Sequence, residues 1–340
     1  MDGKHKEPGP ASEKKVGKAV RGLVPIAIAS CAALAIGGAV DVVHQHQKSG
    51  KKERSATAAA KNDETGPRFV VGVRTKGTAL VVRDVRTGHD VGLPVAAPQG
   101  QRFQRVAAAG ERSYIVATGA GKQVTFQRLE LKKDGSPEAL EALPEATVTG
   151  VSTAWSDLAV GPKGEQIAYV TYQRGGGSKV DVVSAKGGGH KAWTSAIPAR
   201  VGNLSWAGTT LSFVYTPVKK AAGKTVHQVR TLDTNAAAGD LKVSEPVLKL
   251  PAGSTTAVLS RDGASVLSAV FQNGQVTMQA YAAATGRPAK VLWTRKAPGT
   301  PSRLDLDHSG EHLLAAGSDG PLFGSGPQSV PGEDLLDAAW

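Results

Sequence analysis

The chain has 340 residues, of which 40% are hydrophobic, 5% are aromatic and 21% are charged. This apolar content excludes a wholly disordered chain, and a single cysteine excludes a fold held together by internal disulfide bonds. The formal net charge of +12 would suit anionic partners, but basic side chains are scattered along the chain, which is typical of a solvated surface. We expect no nucleic-acid partner.

The N-terminal part predicts a membrane anchor. Residues 1–21 are polar and lack apolar periodicity, which predicts a disordered cytoplasmic tail. Residues 22–40 contain no charged side chain, and a helix of this length, at about 1.5 Å per residue, crosses the hydrocarbon core of a bilayer. They therefore predict one transmembrane helix. The polar residues 41–66 predict a flexible linker to a domain at 67–340.

The orientation of this anchor follows from flanking charge. Six basic residues precede residues 22–40 and four follow within twenty positions, so the positive-inside rule predicts a cytoplasmic N-terminus and an extracytoplasmic domain. Two alternatives stay open. One is a cleaved signal peptide. The other is a lipoprotein, because residues 28–31 resemble a bacterial lipobox in which Cys31 would carry the lipid.

The remaining chain contains a repeated unit: an alternating strand, a turn that ends in glycine, and a second apolar strand. Third and fourth strands follow in several units. The turn glycines lie 54, 44, 55 and 47 positions apart and are Gly110, Gly164, Gly208, Gly263 and Gly310. Four antiparallel strands in each unit of about 45 residues predict an all-β domain, a β-propeller of about six blades. In one unit, Asn273-Gly274 predicts a tight hairpin of type I′.

The two ends of this domain predict that the propeller is closed. The first unit begins at Phe69 without the strand that should precede it, whereas residues 335–340 look like the start of a unit. We predict that this C-terminal strand pairs with the strand beginning at Phe69 and removes an open sheet edge. Deletion of residues 335–340 should then strongly destabilise the domain.

The turn segments GPKGEQIAYV, SRDGASVLSAV and DHSGEHLLAAG resemble the WD40-like repeats of TolB-type propellers. The complete Ser-Pro-Asp-Gly-Lys turn of those repeats is absent, as is the combination of a Gly-His pair with a later Trp-Asp pair that marks the repeats of true WD40 proteins. The chain also resembles membrane-anchored propellers of high-GC bacteria in its composition. The resemblance implies a scaffold that binds a protein or another ligand.

The sequence contains no nucleophile elbow and no nucleotide-binding motif, and we predict no cofactor and no metal site. The chain is therefore predicted to be a non-enzymatic binding, scaffold or sensing module. The alternative is a hydrolase, for example one acting on carbohydrates, that uses carboxylates in the central channel, such as Asp157, Asp305 and Asp307. We expect the tryptophans mainly to form wedges between blades.

The predicted binding surface consists of basic loops on one face of the propeller, between second and third strands. Its candidate residues are Arg174, Lys179, Lys219, Lys220 and Lys224. A protein or an anionic envelope polymer would be the partner of such a surface. The alternative is that these side chains belong to exposed loops that only keep the protein soluble. The oligomeric state is not predicted.

Overall fold

The computed structural model describes residues 66–218, 225–317, 322–324 and 329–340. The predicted tail, the predicted transmembrane helix and the predicted linker up to residue 65 lie outside the described residues. Within those ranges, no helix is both long enough and apolar enough to cross a membrane.

The described residues form strands and one short 3-10 helix, Leu241–Val243. The first eight strands are β1 (Phe69–Arg74), β2 (Ala79–Asp84), β3 (Val95–Ala96), β4 (Arg102–Ala108), β5 (Ser113–Ala120), β6 (Gln123–Leu131), β7 (Pro137–Thr149) and β8 (Leu158–Val160). The next eight are β9 (Gln166–Tyr172), β10 (Gly177–Ser184), β11 (His190–Ala207), β12 (Thr210–Pro217), β13 (Gln228–Asp233), β14 (Gly239–Asp240), β15 (Glu245–Lys249) and β16 (Ser254–Leu259). The last eight are β17 (Ser265–Gln272), β18 (Gln275–Ala282), β19 (Pro288–Lys296), β20 (Pro301–Leu306), β21 (Leu313–Gly317), β22 (Leu322–Phe323), β23 (Ser329–Val330) and β24 (Leu335–Ala339). The prediction of an all-β domain is confirmed.

Neighbouring strands pair in chain order, which produces antiparallel groups of four. Strands β4 to β7 form one sheet, as do β16 to β19 and β20 to β23. The long strand β11 belongs to two groups, because its first half pairs with β10 and its second half pairs with β12. It therefore joins β8, β9 and β10 to β12, β13 and β15.

The C-terminal strand β24 pairs with β1 and completes a sheet in the order β24-β1-β2-β3. The pairing is antiparallel, with Ala339 opposite Val71 and Asp337 opposite Val73. Residues 335–339 thus lie beside the strand that begins at Phe69, where the incomplete first unit required a partner.

Turn chemistry explains where these strands reverse direction. Asn273 and Gly274 have φ values of 51° and 72° and join β17 to β18, as a type I′ hairpin requires. Four of the five repeated turn glycines also have positive φ, and Gly110 is the exception. The glycine periodicity therefore identifies real turns, although one of them does not need the left-handed conformation.

The apolar core lies between sheets rather than within a single sheet. Each cluster of buried apolar side chains among the described residues combines two successive four-stranded groups. Phe126 and Tyr169, for example, form an edge-to-face pair with ring centroids 5.7 Å apart. Another cluster joins Leu314 and Leu322, from the last group, to Val70 and Trp340, from the first sheet.

Candidate functional site

The first strands of successive groups meet at Arg303 on β20. Its guanidinium forms an ion pair with Asp337 on β24 and donates to the carbonyl oxygens of Val106, at 3.2 Å, and Leu158, at 3.4 Å. Its Nε lies 3.5 Å from Oδ1 of Asp157. One partly buried arginine therefore connects the innermost strands of four groups.

The two carboxylates around Arg303 also accept backbone hydrogen bonds. Oδ1 of Asp157 accepts the N–H of Leu158 at 2.9 Å, and Oδ2 accepts the N–H of Leu204 at 2.8 Å. Oδ2 of Asp337 accepts the N–H of Val106, also at 2.8 Å. Both carboxyl groups are buried. Because their acceptor sites are occupied by strand backbone, they act as cross-links between sheets.

Asp305, also on β20, has a different environment. Burial raises the pKa of its carboxyl to about 6, and its Oδ2 has no hydrogen-bond partner among the described residues. It lines a cavity of about 20 Å³ together with Ser205, Trp206 and Arg261. A cavity of this size holds about one water molecule, and it is far too small for a sugar ring.

Asp307 lies in the turn after β20. Its carboxylate accepts hydrogen bonds from Ser309 Oγ at 2.6 Å and from the N–H of His312 at 3.1 Å, and it contacts Nδ1 of His312 at 3.1 Å. Burial by itself would raise the pKa of Asp307, but these hydrogen bonds outweigh burial and lower it. Asp307, one of the three predicted channel carboxylates, therefore stabilises the turn after β20. No cluster of three or more potential metal ligands occurs among the described residues.

The predicted basic loops are only partly described. Lys219, Lys220 and Lys224 lie outside the described residues. Arg174 is exposed in the turn between β9 and β10. The placement of Lys179 in that loop is wrong: it lies on β10, where its Nζ donates to the carbonyl oxygen of Thr149 at 2.6 Å and lies 3.0 Å from the carboxylate of Asp181.

Sequence reasoning missed an exposed tryptophan near these loops. Trp193 and Trp206 are buried, as expected of wedges, but Trp155 is 54% exposed. The guanidinium of Arg200 lies 3.8 Å from the centroid of the Trp155 ring. The sequence did contain a signal for this exposure: Trp155 does not belong to an alternating strand pattern, and it lies in the segment between β7 and β8.

No protein-family model matches the chain, and no curated protein matches its sequence. Among solved structures, TolB from Acinetobacter baumannii is similar with a TM-score of 0.50 and 13% identity, over 81% of this chain and 67% of that chain. The chain has a TolB-like β-propeller fold. This agrees with the resemblance found in the turn segments.

Other solved structures are also similar to the chain. A chain of a nidogen/laminin complex is similar to this propeller with a TM-score of 0.51 and 9% identity, over 80% of this chain and 97% of that chain. A periplasmic gluconolactonase from Pseudomonas aeruginosa has a TM-score of 0.46 and 15% identity, over 75% of this chain and 77% of that chain. At such identities the similarity concerns the fold and assigns no activity.

Proposed function

We propose that this protein is a membrane-anchored, extracytoplasmic β-propeller of six blades that binds a partner and catalyses no reaction. The blade count is supported by the successive groups of four strands, with β11 shared between two of them. Closure of the propeller is supported by the pairing of β24 with β1 and by the apolar cluster that joins Leu322 to Trp340. The anchor and its orientation are supported by the uncharged residues 22–40 and their flanking charges.

The non-enzymatic proposal rests on one observation, the contacts that the central carboxylates make. Asp157 and Asp337 accept hydrogen bonds from the backbone of neighbouring blades and pair with Arg303. A catalytic acid or base must instead be able to reach a substrate atom. These two carboxylates therefore hold neighbouring blades together. This role supports a function in which the surface of the propeller recognises a partner.

The environment of Asp305 favours the alternative function, a hydrolase. Its raised pKa is what a general acid near neutral pH requires. The cavity beside it is, however, about 20 Å³. A panel of chromogenic glycosides and lactones should therefore show no turnover by the wild-type chain. Turnover that disappears in Asp305→Asn, with folding retained, would support the hydrolase and refute the proposal.

The lone cysteine permits a direct test of the topology. In the full chain with Cys31→Ser, a new cysteine is placed either at Leu93, which is 85% exposed, or at Ser12 in the N-terminal tail. Both variants are expressed in bacteria and treated with a membrane-impermeant maleimide. We expect labelling at position 93 in intact cells and at position 12 only after lysis. The reverse pattern would refute the extracytoplasmic orientation.

The same cells test the anchor. Removal of residues 22–40 should release the chain from the membrane fraction. The size and membrane retention of the wild-type chain should not change with globomycin or with Cys31→Ser. A change with either would instead support lipid attachment at Cys31.

A further inference from the structure

The segment between β7 and β8 presents Trp155 to solvent. This residue is 54% exposed, although the large apolar area of its indole would favour burial. Exposed aromatic side chains of this kind are typical of recognition surfaces.

The backbone on both sides of Trp155 is held by a buried arginine. Arg105 donates from Nη2 to the carbonyl oxygen of Ala154 and from Nε to that of Ser156, both at 2.6 Å. The hydroxyl of Tyr172 donates to the carbonyl oxygen of Trp155 itself at 3.3 Å. The exposed indole is therefore pre-organised, which lowers the entropic cost of binding a partner.

Arg200 on β11 adds an available cation beside the indole. Its guanidinium stacks on Trp155, and no carboxylate of the described residues lies within ion-pair distance of it. The pKa of His227 is lowered by burial and, in addition, by the positive charge of Arg200. The hydrogen-bond donors of the guanidinium are thus available to a carboxylate, which arginine can bind through two parallel hydrogen bonds.

The neighbouring segments are basic. In a four-stranded meander, the turn between second and third strands lies at the same end as the connection to the next blade. The segments at this end, from the start of β4 to the middle of β11, are 101–105, 119–123, 150–157, 173–176 and 195–202. Together they contain five arginine or lysine residues and one acidic residue, Asp157, which is buried. Backbone hydrogen bonds join them, from Gly150 N to Lys122 O at 2.8 Å and from Ala199 N to Gly176 O at 3.3 Å.

Exposed aliphatic side chains accompany this charge. Val151 is 39% exposed and Ile197 is 54% exposed, and both belong to the segments just described. Tryptophan and arginine surrounded by apolar side chains are typical of the centres of protein interfaces. A sugar-binding or nucleic-acid surface has less use for the aliphatic groups, since its ligands are polar.

We propose that the Trp155 surface, formed by Lys122, Val151, Trp155, Ile197 and Arg200, binds an acidic polypeptide segment that also carries apolar side chains. A carboxylate of the partner pairs with Arg200, and an apolar side chain packs against the uncovered part of the indole. This inference rests on the proposed binding function and specifies its surface and the class of its partner.

A peptide-display selection tests this inference. Random peptides are selected on the full-length chain in detergent micelles, and enriched peptides are synthesised with a fluorophore for anisotropy titrations. We expect the peptides to contain acidic residues beside apolar ones. Their dissociation constants should rise at least tenfold with Trp155→Ala and with Arg200→Glu. The unfolding midpoints of both variants are measured, and Trp155→Phe, which keeps an aromatic ring, should retain part of the affinity.

Two matched variants serve as controls. Leu93→Ala removes another exposed apolar side chain, and Lys163→Glu reverses a charge in the exposed turn between β8 and β9 at the opposite end of its blade. Neither should change peptide affinity. Failure to enrich any peptide, or affinities that do not respond to Trp155→Ala and Arg200→Glu, would overturn the inference.

Other occupants of the surface are tested with heparin and with phosphatidylglycerol vesicles. Binding of either through Trp155 and Arg200, without any peptide binding, would also overturn the inference. The proposed function is tested separately by maleimide labelling and by the hydrolase panel. It can therefore stand if the peptide selection fails, and it can fail even if peptides bind.

Discussion

Arg303 illustrates how single residues stabilise the centre of this propeller. It is one partly buried cation that contacts the buried carboxylates of Asp157 and Asp337 together with backbone carbonyl groups from two further strands. Burial of a charge is costly unless its pairing and hydrogen bonding are complete. Removal of any one partner therefore leaves other groups buried and unsatisfied, so the effect extends beyond the lost contact.

Asp157→Ala tests this cross-link. It removes the acceptor for Leu204 N–H and one carboxylate near Arg303, so we expect a loss of about 3 kcal/mol in the free energy of unfolding. Urea titration of the full chain measures it. Glu165→Ala, which removes an exposed surface pair with Lys186, should change stability little. A similar effect of both substitutions would contradict a structural role for Asp157.

Asp305 should make stability depend on pH in an unusual direction. Its carboxyl pKa of about 6 in the folded chain lies above the ordinary value of 3.8. This group therefore contributes stability at low pH, and the contribution is lost as pH rises through 6. The loss amounts to ~3 kcal/mol across the full titration. Asp305→Asn should lack this component, so its advantage over the wild type should grow from pH 4.5 to pH 7.5. Parallel stability profiles would contradict the prediction.

At the scale of strands and turns, glycine conformation determines which substitutions matter. Gly164 has a φ of +66°, and a Cβ atom there would lie 2.7 Å from the carbonyl oxygen of Ala109. Gly208 has a φ of +58° but open space around it. Gly110 has no positive φ, and its nearest contact for an added Cβ is Ser113 at 3.4 Å. Equivalent turns therefore differ in their need for glycine.

Three alanine substitutions test how strongly each of these turns needs glycine. Gly208→Ala should cost about 1–2 kcal/mol because of its left-handed backbone. Gly164→Ala should cost more, since the clash with Ala109 adds to the same strain. Gly110→Ala should change stability by less than about 1 kcal/mol. Urea midpoints of the three variants give the ranking, and an effect of Gly110→Ala equal to that of Gly164→Ala would show that these conformations are wrong.

Local patterns predict these elements well, but they do not predict contacts between blades. Strand alternation, the Asn273-Gly274 hairpin and the starting position of the C-terminal strand depend on a few adjacent residues. The exposure of Trp155 depends instead on Arg105, about fifty positions earlier in the chain. Strand β11 also continues through Pro198, a residue that usually interrupts a central strand. Proline is tolerated there because the strand changes partners at that point.

At the scale of the whole molecule, the two ends of the domain share a sheet. The pairing of β24 with β1 brings together segments from opposite ends of residues 69–340. Asp334, just before β24, strengthens this contact: its backbone carbonyl accepts the N–H of Thr75 at 3.0 Å, and its carboxylate pairs with Arg83 at 3.0 Å. The hydrogen bond from Arg83 lowers the pKa of Asp334, so this contribution is lost as pH falls towards the acid range.

A disulfide between the two ends tests this closure without removing the strand. Val71 and Ala339 are paired across β1 and β24, and antiparallel partners have Cα atoms about 4.5–5.5 Å apart, within the range of a disulfide. In the Cys31→Ser background, Val71→Cys with Ala339→Cys should form an intramolecular bond on oxidation. Because the bond encloses nearly the whole domain, it should stabilise the oxidised form by up to about 5 kcal/mol relative to the reduced form.

The reduced form of the same variant controls for the cost of the two substitutions, since it differs only in the bond. Val71→Cys with Leu93→Cys controls for unspecific oxidation, because Leu93 is exposed outside any strand and should not form the bond. Non-reducing electrophoresis detects the bond, and urea unfolding measures its effect. If the Val71–Ala339 bond fails to form, or forms without raising the unfolding midpoint, the C-terminal strand does not close the propeller in solution, and the first blade must be completed in another way.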